Sequence, residues 1–270
     1  MSEPRLKAGI QGAPGPLKVN LENLSFTVDQ GIGHRATLGL IVLATDQTIE
    51  HEMAALAGID GVAVYNARIM NDPAITPETL QAMEARIPET AALFPVGFGF
   101  DVIGYGCTSA SLVIGEDGVK SAVRQAHPDV AVTNPVTAAR AALDAVGVRR
   151  VALLTPYVAE INHGLRARFE QLGLSIPVMG SFNEGDDLVA NRISEASIRD
   201  AILKVGASDL CDGVFISCTG LRVAALVEDT EKALGKPVTS SNHALAWHML
   251  RLGGIAEPLF GRGALFQCAL

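Results

Sequence analysis

Gly104–Ser111 reads G-Y-G-C-T-S-A-S, and further along Phe215–Gly220 reads F-I-S-C-T-G, so a Cys-Thr step leaves an apolar run twice. Cys107 and Cys218 are 111 residues apart, and the same shift carries Asp46 onto Tyr157. Asp46 closes L-I-V-L-A-T-D and Tyr157 closes V-A-L-L-T-P-Y. Beyond each cysteine a short apolar segment ends in Thr and Asn, V-T-N-P at Val132–Pro135 and V-T-S-S-N at Val238–Asn242. Two features at one shift and two more in the same order indicate an internal repeat of a single supersecondary unit.

Short apolar runs extend the pattern along the chain. Leu38–Ala44, Gly61–Tyr65, Asp101–Gly106, Val130–Thr133, Val151–Leu154, Ile176–Met179, Gly213–Ser217 and Pro237–Thr239 have the length and continuity of buried strands. Helical periodicity lies between them at Glu78–Ile87, Thr137–Val146, Ala159–Leu172, Ser194–Val205 and His243–Leu252. Alternation of this kind predicts an α/β fold of two pseudo-symmetric domains, each a mainly parallel sheet flanked by helices. Ligands in such sheets bind beyond the carboxyl ends of the strands, where both cysteines fall. A cleft between the two halves is the expected site. Residues 1–36, rich in Gly and Pro with one candidate strand at Ser25–Val28, read as an N-terminal arm.

Composition narrows the function classes. The chain has 270 residues, 49% of them hydrophobic and 19% charged, enough apolar surface for a large core. No apolar run reaches the roughly 18 residues of a membrane span, and the first residues do not resemble a secretory signal. A cytoplasmic enzyme is expected. A net charge of −8 disfavours a nucleic-acid partner, which calls for clustered Lys and Arg. It permits an anionic small substrate held by backbone N–H groups at a helix start. The four cysteines lack C-x-x-C spacing and read as free thiols.

At a helix N-terminus a thiol pKa falls and the thiolate is favoured, so Cys107 and Cys218 are the candidate catalytic pair. Cys211 and Cys268 have no such setting and read as structural. Thr108, Ser109 and Thr219 follow the cysteines, where hydroxyls and successive N–H groups would cradle a carboxylate or cap a helix. Asn134 and Asn242 are candidate cleft-facing ligands or caps, Tyr157 a phenolic donor or rim aromatic, and Asp46 a polar orienting group or helix cap. His243 and His248 are five apart and do not share the helix face of a zinc pair, so solvated or capping histidines are expected. Arg222 reads as a structural or surface charge. Neither a G-x-G-x-x-G fingerprint nor a Walker sequence is present, and neither nucleotide nor metal is expected.

The motifs G-C-T-S-A-S, V-A-L-L-T-P-Y, S-C-T-G-L-R and S-S-N-H-A-L-A-W-H-M-L-R-L-G-G resemble the aspartate/glutamate racemase superfamily, in its branch of maleate cis-trans isomerases and arylmalonate decarboxylases, with ectoine-utilisation proteins nearby. The likeness runs from Leu38 to Gly254. It implies a cofactor-independent isomerase or racemase of a small carboxylate, built as a homo-oligomer, with the C-terminal segment returning to the first domain. That gives residues 37–134 with 243–270 as one domain and 135–242 as the other. The family's paired cysteines fall on Cys107 and Cys218. Its carboxylate cradle falls on Thr108, Ser109, Tyr157, Thr219 and Gly220, and a middle-loop asparagine on Asn191. Decarboxylases of the branch keep glycine at the first cysteine position, so Cys107 tilts the chain toward isomerase or racemase. Maleate isomerases carry asparagine near the first strand end, where this chain has Thr45 and Asp46. An arylmalonate-type decarboxylase and a non-catalytic carboxylate-binding module are the alternatives.

Overall fold

Eight strands account for all eight apolar runs: β1 (Ala36–Leu43), β2 (Val62–Ile69), β3 (Val102–Gly106), β4 (Ala131–Thr133), β5 (Arg150–Thr155), β6 (Ser175–Ser181), β7 (Gly213–Ile216) and β8 (Val238–Ser240). They come from a computed structural model that describes residues 18–270. Two four-stranded sheets form, in the orders β2-β1-β3-β4 and β6-β5-β7-β8, with every pairing parallel. Leu40 faces Gly104 in the first sheet, and Leu153 faces Phe215 in the second. The repeat in the sequence is thus a repeat of topology.

This strand order explains why the cysteines lie where they do. Each chain half goes first to one side of its opening strand (β2, β6) and then to the other (β3, β7). The loops leaving β1 and β3 therefore diverge, as do those leaving β5 and β7, and each divergence opens a crevice at the carboxyl edge. All residues of β1, β3 and β7 are buried, as parallel strands covered on both faces require. The outer strands β2 and β6 alternate between buried and open positions.

The two sheets share one hydrophobic core, which takes Ile41 and Tyr105 from the first and Leu153 and Phe215 from the second. A second core joins Leu38, Leu40 and Val42 of β1 to Trp247 and Met249 of the helix Ser241–Leu252, and to Phe266. The chain thus leaves the second sheet and returns to cover the first. Gly31–Leu270 forms one compact unit, and the described residues before Gly31 belong to a unit of their own. Among the described residues no helix is long and apolar enough to cross a membrane.

Three expectations change. Ser25–Val28 forms no strand, having no partner in a sheet. The helix expected over Glu78–Ile87 breaks into Pro77–Gln81, a 3-10 turn at Glu84–Arg86 and Ile87–Ala91. Pro88 lacks the N–H that a continuous helix would need, so the helix restarts around it. Finally, His243 and His248 are buried. The His243 Nε2–H donates to the Arg262 carbonyl at 2.7 Å, which leaves Nδ1 to accept from Thr239 Oγ1 at 2.9 Å, and His248 Nδ1 pairs with Thr133 Oγ1 at 2.7 Å. Burial lowers the pKa of each ring to about 4.

Close approach fixes the last residue of β3. A Cβ on Gly106 would stand 2.8 Å from Ile49 Cδ1 and 3.0 Å from the Ile41 carbonyl oxygen, and the backbone oxygen cannot swing aside. Gly106→Ala is expected to destabilise the fold by about 1–3 kcal/mol, measured by urea unfolding. A variant as stable as the parent would show that β3 has slack beside Cys107.

Candidate active site

Cys107 directly follows β3 and caps the helix Thr108–Ile114: its Sγ accepts the Ala110 N–H at 3.4 Å and lies 3.7 Å from Ser109 Oγ. Ser111 Oγ donates to the Cys107 carbonyl at 2.5 Å and holds the turn from the other side. This half matches the strand-to-helix junction read from the sequence.

The Cys218 half does not. No helix starts at Cys218; a turn follows, then a 3-10 segment at Ala224–Leu226 and a helix only from Val227. Cys218 has φ +124°, a region that side chains with a Cβ rarely adopt. Such strain is kept where the surroundings over-determine it, and it collects at functional sites. Its sulfur is served by the Gly220 N–H and the Tyr157 hydroxyl instead of a helix end.

Ser241 ties the two turns together. Its hydroxyl accepts the Cys218 N–H at 3.1 Å and pairs with Thr108 Oγ1 at 2.8 Å. Ser241 was missed in the sequence, although S-S-N after β8 carries one hydroxyl more than T-N after β4. Tyr157 is aimed by its backbone, whose carbonyl accepts Asn162 Nδ2 at 2.7 Å and Ser181 Oγ at 2.5 Å. Its ring is buried beside both thiols and Ser217, whose buried hydroxyl lacks a closed hydrogen bond. Ser241→Ala would orphan the buried Cys218 N–H. A loss of about 1–3 kcal/mol is expected in denaturant unfolding; an unchanged midpoint would remove Ser241 from its bridging role.

Cys107, Thr108, Ser109, Tyr157, Cys218 and Thr219 line one cavity, so six residues picked out in the sequence converge. The free volume is about 20 Å³, room for about one water. Asn71, Asp72, Ala74 and Ile75 from the first half and Asp187 from the second form another wall. These two segments pair with each other: the Ile75 N–H donates to the Gly185 carbonyl at 3.1 Å and the Asp187 N–H to the Pro73 carbonyl at 3.0 Å. At this volume the lining has to widen before a carboxylic acid can enter.

Five other candidates lie outside the cavity lining. Asp46 Oδ1 accepts the Thr48 and Ile49 N–H groups where the helix Ile49–Ala57 begins, so its carboxyl is turned to that helix start. Asn134 Oδ1 likewise accepts from Val136 and Thr137 and caps the helix Pro135–Ala145. The amide of Asn242 donates to Glu52 Oε2 at 2.8 Å and to the Thr219 carbonyl at 2.7 Å, behind the Cys218 turn. Asn191 accepts the Gln47 N–H and donates to the Asp187 carbonyl. It packs on Gly220, where a Cβ would meet its Oδ1 at 2.9 Å. Asn191 and Gly220 therefore shape the turn rather than line the space.

Electrostatics also departs from the expectation of lowered thiol pKa values. Burial pushes Cys107 up to about 12, and the charges of Asp187 and Asp46 add to it against the Ala110 N–H and Ser109 hydroxyl. Burial raises Cys218 as well, followed by the Asp187 charge, with the Gly220 N–H and Tyr157 opposing. Both thiols rest protonated at neutral pH. Loss of water outweighs the local N–H groups. Arg222 donates to the Ile193 carbonyl at 3.0 Å, a structural contact.

Two parallel α/β halves, each bringing a cysteine from its carboxyl edge to one cavity, define the aspartate/glutamate racemase-like class of enzymes. The family profile described as arylmalonate decarboxylase matches residues 38–266, and the chain belongs to that family. An arylmalonate decarboxylase of Bordetella bronchiseptica is 34% identical over 137 residues, covering 50% of this chain and 57% of that protein, little more than half its length. A maleate isomerase of Nocardia farcinica is 27% identical over 239 residues, 85% of this chain and 95% of the relative. Among solved structures, a Nocardia farcinica maleate cis-trans isomerase, a cysteine-to-serine variant with a covalently bound succinylcysteine intermediate, superposes with a TM-score of 0.78 at 26% identity, covering 86% of this chain and 98% of that one.

Proposed function

We propose that the protein is a cofactor-independent isomerase or racemase of a small carboxylate, with Cys107 and Cys218 as its reacting groups. The observation that carries this reading is the convergence of both thiols on one cavity from opposite halves. The lobes assigned to it are residues 37–134 with 243–270, and residues 135–242. Thr108, Ser109, Thr219 and the N–H groups of the two turns hold the substrate carboxylate, and Tyr157 donates its phenol. Cys107, supported by the Ala110 N–H at the start of a helix, serves as nucleophile or base. Cys218, beside the Tyr157 hydroxyl, delivers the proton.

With a cis-alkene substrate, the Cys107 thiolate adds to one alkene carbon. A C–S bond forms, the π pair moves to the neighbouring carbon and its carboxylate, and Cys218 protonates that carbon. Rotation about the new single bond, return of the proton to Cys218 and expulsion of the thiolate give the trans alkene. With a saturated substrate, Cys107 takes the α-proton, the electron pair enters the carboxylate, and Cys218 protonates the opposite face. The family profile and the 34% identity favour a second reading, loss of CO2 from a malonate followed by protonation from Cys218, with Cys107 dispensable.

One experiment separates the three: incubation with maleate, aspartate, hydantoins and arylmalonates in deuterated water, followed by NMR. Cis-to-trans conversion, inversion with α-deuterium, or CO2 with one deuterium each mark one route. No turnover of any, together with ligand binding, would leave a binding module. Because Cys107 rests near 12, kcat/KM should rise about tenfold per pH unit from pH 6 to 9. A flat profile would show that substrate binding, not the free enzyme, sets the ionisation.

A further inference from the structure

Asp187 is absent from the residues picked out in the sequence and unused by the mechanism above, yet its carboxylate shares the cavity with both thiols. It is 93% enclosed, with 7% of its surface exposed. One oxygen, Oδ2, accepts from Thr45 Oγ1, and Thr45 is itself gripped by Asn71, whose Nδ2 donates to Thr45 Oγ1 at 2.8 Å and whose Oδ1 accepts the Thr45 N–H at 3.2 Å. The backbone N–H of Asp187 is fixed to the Pro73 carbonyl. No protein donor reaches Oδ1 among the described residues. The carboxyl is thus oriented from one side and left open on the other.

Charge decides what can face it. No Lys, Arg or His lines the cavity. The nearby cation Arg68 is engaged by Glu50 and by the carbonyls of Leu43, Ala44 and Asp46. The other acids of the neighbourhood already have partners: Asp46 accepts the Thr48 and Ile49 N–H groups and the Thr219 hydroxyl, Asp186 accepts the Leu188 N–H, and Asp72 accepts the Ala74 N–H. A second substrate carboxylate placed against Asp187 has no cation to neutralise the pair, so it binds only at the cost of a proton taken up by one of the two, in a space where water screens little. A group with N–H bonds would instead supply the donor that Oδ1 lacks.

Resting on the function proposed above, we infer that Asp187 selects the far end of the substrate, so that the enzyme takes a carboxylate bearing an amide or ammonium group rather than a dicarboxylate. Thr45 and Asn71 are its positioning residues. Both routes accept such a molecule: a cis-enoate half-amide can add a thiolate, and an amino or ureido acid can lose its α-proton.

The test compares succinate with succinamate, a pair of the same shape that differs in one carboxylate against one amide, neither of which carries a double bond. Calorimetry on the wild type at pH 7.5 should give succinamate at least about tenfold tighter binding. Asp187→Asn should erase or reverse that ratio. A wild type that prefers succinate, or a ratio untouched by Asp187→Asn in a folded variant, overturns the inference while leaving the two-thiol proposal standing. Should Asp187→Asn fail to fold, Asn71→Ala, which loosens the Thr45 grip, should narrow the ratio, and an unchanged ratio there counts against it. Binding of neither ligand by wild type or variants overturns the carboxylate-site reading and this inference with it.

Discussion

Cys218→Ala should lower kcat by about 10²–10⁴-fold, the usual contribution of one positioned proton-transfer group, with the fold intact by circular dichroism. Alanine removes the sulfur and keeps the backbone bond from the Cys218 N–H to Ser241, so loss of the proton donor is separated from loss of the turn. Cys107→Ala should cost at least as much in an isomerase, because bond formation is lost along with proton transfer. The two losses should not add, since the thiols act in one sequence of steps. Cys107→Ser and Cys218→Ser sharpen the assignment. Serine keeps the hydrogen-bonding pattern but ionises far less readily, so the nucleophile should be intolerant of it. Where the proton donor alone is slowed, a covalent adduct on Cys107 should accumulate and be visible in the intact mass of Cys218→Ser. Full activity in both alanine variants would end the two-thiol proposal. Full activity in Cys107→Ala alone, with CO2 released from a malonate, would move the assignment to the decarboxylase.

The repeat made the fold legible. A shift that carries Cys107 onto Cys218 and Asp46 onto Tyr157 already requires two copies of one strand-loop-helix unit, and the structure places β1 with β5 and β3 with β7 accordingly. Continuous apolar runs mark parallel strands well because both faces are buried. Side-chain direction was less legible. Asp46 and Asn134 stand at strand ends, where a cleft ligand and a helix cap share one composition, and the N–H groups of the next helix claimed them. Asp187 was hidden for a different reason. In E-G-D-D-L the first aspartate is the helix cap and the second is buried, a distinction created by pairing with the Asn71–Ile75 segment more than a hundred residues earlier. The thiol pKa values were misjudged because local spacing reveals a helix end but not the depth at which it lies.

Acid should weaken the fold well before ordinary carboxylates are protonated. His243 and His248 are held neutral by burial, each with a pKa lowered from 6.5 to about 4. A group whose pKa is lower in the folded chain contributes stability that is fully present above its unfolded value and is lost as the pH falls through the folded one. The window is therefore about pH 6.5 down to 4. A displacement of that size corresponds to about 3 kcal/mol per ring, and a buried proton on His243 would also lose the acceptor role of Nδ1 toward Thr239. Asp46, Glu52 and Asp187 act in the opposite sense. Burial raises each of them, so their contribution is lost as the pH rises and regained as it falls, offsetting part of the histidine loss. The net expectation is a fall of several kcal/mol in unfolding free energy between pH 7 and 4.5, read from urea titrations. His243→Gln, which keeps an N–H for the Arg262 carbonyl, combined with His248→Asn, which keeps a polar partner for Thr133, should flatten that dependence at some cost in stability at pH 7. Stability that stays level in the wild type down to pH 4.5 would mean that the two rings take up protons without unfolding, and that the helix Ser241–Leu252, which carries both Ser241 and the return of the chain to the first sheet, is less tightly packed than its burial implies.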